Sequence, residues 1–488
     1  MNLFSSQSIR RAEEWLSQRR RRVILSLLLF GALFRAIYYA ELSQGPAFSQ
    51  HRWEASDMYF FDSWASGIVA GDWLTNRALH PLVDWERGIT QGALNKYPEL
   101  KASVEKEAGL TGQKDLDQTL WNRWMGGKAF HQEPLYPYMV AATYSIFGRD
   151  VRWVFVWQML LGLGSILLVY CIGCKYFGDL TGTLSGLLAL LYAPMMYHEL
   201  LLLRDSTMIF FTLLLVAVCG EAIERKCARW WCYFGLVSGL CLLLKSTYMP
   251  YILASFFILL LTYRGEPKLF LRCVAPAVAA LLLITSPFVM RNISLGVPPF
   301  AFSGPGGAAL TIIVWNSDDY DEWPDCATHL KYASEYMAET NGRPLPAAIK
   351  TLQTHKTVWS VARMVLLKIK GVWHWFEMPN NDNIYYYRIH AAILSWLPMT
   401  FLTCMPFALA GFVIALPDIK KSWPLYLILW GLFKLAERAA LTNEEYPAYQ
   451  QPATPYAYAP MGTAIVPAHD GSEIQSETPG NAPGDGRQ

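Results

Sequence analysis

Charge is what this chain has least of. Asp, Glu, Lys and Arg together make 16% of the 488 residues, and their formal balance is only +2. A field that weak and that even excludes binding to nucleic acid through a basic surface. Cysteine chemistry is equally thin. The nine cysteines lie mostly within or at the ends of apolar runs, where a thiol behaves as a small hydrophobe. Cys171 and Cys174 form a CxxC, but no second pair or His cluster accompanies it, so neither a zinc site nor a redox motif is built. Cys326 stands in a polar stretch with no evident partner. No DxD or His-rich cluster stands out, and the expectation is that no divalent metal or other cofactor is needed. An internal repeat is also missing, which argues against an inverted-repeat transporter.

What fills the chain instead is apolar. Hydrophobic residues make 53% of it, in repeated runs of roughly 17–25 residues, the length a bilayer requires. The fold class expected is an all-α polytopic membrane protein. Residues 1–22 carry six arginines against two glutamates and form a basic arm. The run from Val23 to about Tyr39 ends in Ala-Ile-Tyr-Tyr-Ala, a poor cleavage site, so it reads as a retained first span. The positive-inside rule then puts the N-terminus in the cytoplasm and residues 41–134 outside an inner (plasma) membrane. Further spans are expected at 151–170, 181–196, 200–221, 231–244, 248–263, 274–290, 391–415 and 423–433. The stretches this topology places inside, such as Glu224–Arg229 and Arg264–Lys268, are basic. The first external loop carries 13 acids against nine bases. A second large external segment covers 292–388 and includes an amphipathic surface helix from Thr357 to Trp375. The spanning domain runs over 23–436, and residues 437–488, rich in Pro, Ala, Gly and Gln, read as a disordered tail.

The first external loop opens with the most informative stretch. Ser56 is placed to cap a helix with Asp57 in its first turn. Phe61, Trp64, Ala65, Ile68 and Val69 then recur at helical spacing, a face expected to lie on the membrane surface. The six tryptophans Trp53, Trp64, Trp73, Trp85, Trp121 and Trp124 are expected at headgroup level. Asp62, a turn and a half beyond Asp57, reads as a solvated face residue. The loop closes at His131-Gln132-Glu133-Pro134, where Pro134 suits a helix start.

Folded in this way, the chain gathers Asp57, His131, Glu133, His198, Glu199, Arg204, Asp205, Lys245 and Arg291 near the outer boundary. Ionisable groups there are costly unless they pair or line a cavity. Arginine and lysine suit a phosphate, and a carboxylate among them suits a general base. That mixture fits sugar transfer from a lipid phosphate, a good leaving group once cations stabilise its charge. One base to take the acceptor's proton then suffices, without the paired carboxylates of glycosidases.

The stretch from Asp57 to Ala65 with Gly71-Asp72-Trp73 resembles the bacterial relatives of protein O-mannosyltransferases and the lipid A aminoarabinose transferases. So do Glu133-Pro134-Leu135-Tyr136-Pro137, Phe147-Gly148, Tyr197 to Asp205, Gly239 to Lys245, Pro287 to Asn292 and Trp375 to Asn381, across about residues 20–435. These are C-type glycosyltransferases that use a polyprenyl-phosphate sugar. The resemblance implies inverting transfer on the outer, periplasmic face, with Asp57 as catalytic base. The acceptor it implies is a protein, a lipid or a glycan. Glu133-Pro134-Leu135 stands where relatives carry Pro-Pro-Leu beside the lipid phosphate, so Arg291, Lys245 and Arg204 become the candidate phosphate ligands, with His131, Glu133, His198, Glu199 and Asp205 lining the pocket. Relatives continue with further spans where this chain turns polar after Phe433. A lipid-linked sugar flippase and an inactive, truncated scaffold are the competing readings.

Overall fold

The computed structural model describes residues 6–318, 332–372 and 383–415. Cys326, Trp375, the expected span at 423–433 and the tail lie outside the described residues. The basic arm opens as helix α1 (Ser6–Ser17), and α2 (Arg20–Leu42) begins inside the arginine run. Next come α3 (Asp57–Val69), α4 (Asp84–Lys96), α5 (Pro98–Thr111), α6 (Leu116–Met125) and α7 (Leu135–Phe147). Then follow α8 (Val151–Phe177), α9 (Asp179–Leu190), α10 (Ala193–Tyr197), α11 (Asp205–Arg225), α12 (Ala228–Leu244), α13 (Met249–Thr262) and α14 (Pro267–Ser294). Beyond these are α15 (Pro305–Asn316), α16 (Ala333–Thr340), α17 (Pro344–Thr354), α18 (Val358–Val372), α19 (Ile384–His390), α20 (Ile393–Trp396) and α21 (Phe401–Ala415). Among the described residues the β pairing is a single isolated bridge, Tyr192 to Met399. The protein is an all-α polytopic membrane protein.

Four helices, α2, α8, α11 and α14, are long and apolar enough to cross a bilayer. They form a bundle with α9 and α12: α2 packs on α8 and α9, α8 on α11, α11 on α12 and α12 on α14. The last contact is close because Gly235 carries no Cβ, which would otherwise overlap the backbone of Ala277. At the other end of α9, Arg20 grips Asp179 with two bonds of 2.6 and 2.8 Å, tying the arginine run to the bundle.

Two expected spans are broken. The stretch 181–196 divides into α9 and α10 at Leu191–Tyr192, just before Pro194. The stretch 391–415 divides into α20 and α21 around Pro398. Proline removes a backbone donor and pushes its predecessor out of the helical region, and Leu397 is accordingly extended at ψ 116°. The two breaks meet, with Ala193 N donating to Met399 O and Met399 N to Leu191 O.

The long segments between spans are not independent loops. Helices α4, α5 and α6 from the first pack with α15, α16 and α17 from the second around Ile89, Leu120, Trp124, Ile313 and Met337. This cap buries Trp121 and Trp124, and Trp64 is buried in the core below; Trp73 and Trp85 alone of the six are largely exposed. The headgroup placement expected for the tryptophans is corrected accordingly. The same applies to α3. Phe61, Trp64, Ala65 and Ile68 are buried on protein, chiefly α7, rather than laid on lipid, and only Val69 of that face is exposed.

The cap is seated through Ser303-Gly304-Pro305. Gly304 N donates to Phe130 O at 2.7 Å, and a Cβ at Gly304 would overlap the carbonyl of Met125. Its φ of −70° suits any residue, so Gly304→Ala tests the contact alone. We expect this variant to lose about 1–3 kcal/mol, read as a lower midpoint of thermal unfolding in detergent and faster proteolysis of the cap helices. An unchanged midpoint would mean that the segment is not seated on 125–130.

Candidate active site

The site is built outward from the N-terminus of α3. Ser56 adopts extended backbone and its Oγ accepts from Tyr59 N at 3.2 Å, which fixes Asp57 in the first helical turn. Asp57 is partly exposed. Phe60, three residues on, shares its side of the helix. The stretch 130–134 runs against that side. Gln132 Nε2 donates to Asp57 Oδ1 at 3.3 Å, the His131 ring packs edge-on against Phe60 at 5.2 Å, and Phe130 lies 5.4 Å from Trp64.

Glu133 is the junction. One oxygen takes Arg204 Nη1 at 2.6 Å, and the other takes Ser246 N at 2.8 Å and Ser303 Oγ at 3.3 Å. A single carboxylate thus joins the start of α11, the exit of α12 and the entry to the cap. Burial alone would raise its pKa; Arg204 and the Ser246 N–H outweigh that and hold it below the ordinary 4.5. Lys245 follows α12 in extended backbone and immediately precedes the anchored Ser246. Arg204 also reaches Leu244 O at 3.4 Å, and Asp205, partly exposed, begins α11 beside it.

Arg291 enters from α14. Its guanidinium lies 3.9 Å above the Phe130 ring and donates to Leu74 O at 2.8 Å, Thr75 O at 2.6 Å and Asn292 Oδ1 at 2.9 Å. It clamps the turn after α3 onto the bundle. Asp57, His131, Glu133, Arg204 and Arg291 therefore come together through one continuous set of contacts, and Lys245 adjoins it in the chain, between Leu244 and Ser246.

Glu199 does not join them. It is fully buried and paired with Arg35 of α2, while Gln158 Nε2 holds its carbonyl and that of Leu201. Its expected place in the pocket lining is corrected: a carboxylate inside the bundle takes the cation nearest to it. His198 packs against the ring of Tyr197, which in turn meets Tyr387. Asp62 also departs from its expected solvated position. It is 5% exposed, accepts from Tyr144 Oη at 2.6 Å and pairs with Arg149.

The sequence reading missed His80 and Glu86. His80, buried between α3 and α4, pairs with His131. Glu86 in α4 accepts from Val83 N at 3.0 Å; burial, with the nearby charge of Asp57 adding to it, raises its carboxyl to about 7. Each lies about 30 residues or more from its neighbour in the site, so no local pattern marks it. Among the described residues, no three His, Cys, Asp or Glu side chains gather as they would around a metal.

Glu133→Gln keeps an acceptor for Ser246 but leaves Arg204 unneutralised. We expect a loss of about 3 kcal/mol at pH 7. Because the native pKa is depressed, this stability is fully present above about pH 4.5 and disappears as the pH falls through the native value. Unfolding midpoints of parent and variant should therefore converge in acid. A constant gap would show that Glu133 acts by packing rather than charge.

Residues 131–290, about a third of the chain, match a family model described as dolichyl-phosphate-mannose-protein mannosyltransferase. The match begins at His131 and ends one residue before Arg291, so it takes in Glu133, Arg204 and Lys245 and leaves Asp57 outside. No curated protein matches the chain, and neither does any solved structure. Over these residues the chain is similar to that family of membrane glycosyltransferases, which draw their sugar from a polyprenyl phosphate.

Proposed function

We propose that the protein transfers a sugar from a polyprenyl-phosphate donor to an acceptor hydroxyl or amine with inversion, using Asp57 as the base. The observation that carries this reading is the juxtaposition at the seam. A carboxylate fixed at a capped helix end is held by Gln132, and the adjacent Glu133 holds the cationic start of α11 and the exit of α12.

The steps follow from those positions. The acceptor's X–H approaches the anomeric carbon and gives its proton to the Asp57 carboxylate as the new C–X bond forms. The bond from that carbon to the phosphate oxygen breaks, and polyprenyl phosphate leaves with the electron pair. Arg204 and Lys245 are the groups we assign to the growing negative charge on the phosphate. Among the described residues, Arg204 donates to protein acceptors through Nη1 alone, which leaves the other edge of its guanidinium for a ligand. We assign Arg291 to the clamp on residues 74–75 rather than to the phosphate, since all three of its nitrogens donate to protein acceptors. The reaction so drawn uses one base and two cations and calls on no metal.

Connectivity supports an outward-facing site. The C-terminal ends of α12 and α14 and the start of α11 share one end of the bundle, while the basic turns at Glu224–Arg229 and Arg264–Lys268 lie at the other. With the positive-inside rule, the basic end is cytoplasmic and Asp57 faces the periplasm or exterior of the inner (plasma) membrane. The acceptor is a protein, lipid or glycan that reaches that surface.

The test uses purified protein with a panel of radiolabelled polyprenyl-phosphate sugars and reads the release of polyprenyl phosphate. Asp57→Asn should lower turnover by about 10²–10⁴-fold while the donor still binds. Asp62→Asn, tested beside it, should retain turnover in whatever protein folds, because its role is to hold α3 on α7. Equal activity of Asp57→Asn and the parent would remove Asp57 as the base, and failure of the parent to bind any donor would remove the transferase reading.

A further inference from the structure

The reaction above makes no use of the two paired histidines, yet two distances fix where their protons lie. His80 Nε2 lies 2.8 Å from Gly127 O, and His80 Nδ1 lies 3.2 Å from His131 Nδ1. A carbonyl oxygen only accepts, so His80 Nε2 carries a hydrogen. Burial lowers His80 to about 4, and His131, lowered by burial and then by His80 and Arg204, lies at about 3. Both rings are therefore neutral at neutral pH and carry one hydrogen each. His80 Nδ1 is then a bare acceptor, and the hydrogen between the rings belongs to His131 Nδ1. His131 Nε2 is left as a second bare acceptor, and among the described residues no donor reaches it.

Its position is set by the same contacts that set Asp57. The His131 ring packs on Phe60, one helical turn beyond Asp57, and the next residue, Gln132, donates to Asp57 itself. The ring is only partly exposed, and it adjoins the residue that holds the base. A neutral acceptor nitrogen repels phosphate oxygens, which are acceptors too, and binds a group that brings a hydrogen. We infer that His131 Nε2 is a sugar subsite, accepting a hydrogen bond from a hydroxyl or amino group of the sugar on the donor lipid, with His80 as the positioning residue that fixes its tautomer. This rests on the transferase reading and assigns part of its specificity: the subsite reads the sugar, whereas Arg204 and Lys245 read the phosphate.

The experiment measures binding of two probes to the full chain in nanodiscs: bare polyprenyl phosphate and polyprenyl-phosphate mannose. The parent should bind the sugar-bearing lipid more tightly. His131→Leu should weaken that lipid by about 3- to 10-fold, the worth of one hydrogen bond, and leave the bare lipid unchanged. His131→Gln, which keeps an acceptor oxygen, should restore most of the difference. His80→Leu should give a smaller loss with the same selectivity, because His131 is then free to change tautomer. Should His131→Leu instead weaken both lipids equally, or neither, the subsite is overturned while the donor-binding reading stands. A parent that binds neither lipid would overturn both. Unfolding midpoints of the variants separate a lost contact from a lost fold: His131→Gln matching the parent in stability but not in selectivity would also overturn the subsite.

Discussion

The ion pair between Glu133 and Arg204 is the constraint on which the rest of the site depends. Its carboxylate is nearly buried, and its three partners come from three separate parts of the chain. A buried pair of this kind gives little net stability compared with apolar packing of the same volume. What it does provide is registration. Ser246 N is satisfied only if α12 ends at the right height, and Ser303 Oγ only if the cap is seated. Where relatives of the resembled family carry a proline, this chain carries a glutamate, and the substitution fits a junction that has to hold an arginine as well as turn the chain.

The sequence made the parts of this arrangement legible wherever the controlling signal is local. Ser56 and Asp57 mark the start of α3 through capping, and the spacing of Phe61, Trp64, Ala65 and Ile68 marks its buried face. The long apolar runs mark α2, α8, α11 and α14. What covers each face is a tertiary matter, and there the reading failed. Asp62 looks solvated in α3 because its partner Tyr144 lies 82 residues away. Trp121 and Trp124 look like interfacial anchors because the helices that bury them, α15 to α17, come almost two hundred residues later. Pro194 and Pro398 each sit in a long apolar run, and hydrophobicity over the run does not show that the helix breaks beside them.

The cap shows why the two long inter-span segments are better understood as one unit. Each contributes short helices with a single apolar stripe, and such helices gain stability only by burying that stripe on one another. Their shared core ends at Met125 and Gly304, directly beside the stretch 130–133. Folding of the cap and placement of the site are thus linked through Phe130, whose carbonyl takes Gly304 N and whose ring lies beneath Arg291.

The most consequential detail is which carboxylate does not meet the cation. Had Arg204 paired with Asp57, the aspartate would be held in its charged form and weakened as a base, and the arginine would be less available to a phosphate. Instead two adjacent residues divide these duties. Glu133 neutralises Arg204, and Gln132 gives Asp57 a neutral amide donor. On the proposed reading, the base and Arg204 are thus kept from cancelling each other, as a proton transfer coupled to phosphate departure requires. The His80–His131 pair, neutral on the other flank, adds no charge to disturb this separation. On that reading, the uncharged acceptor we propose at His131 reads the sugar without competing with Arg204 and Lys245 for the phosphate.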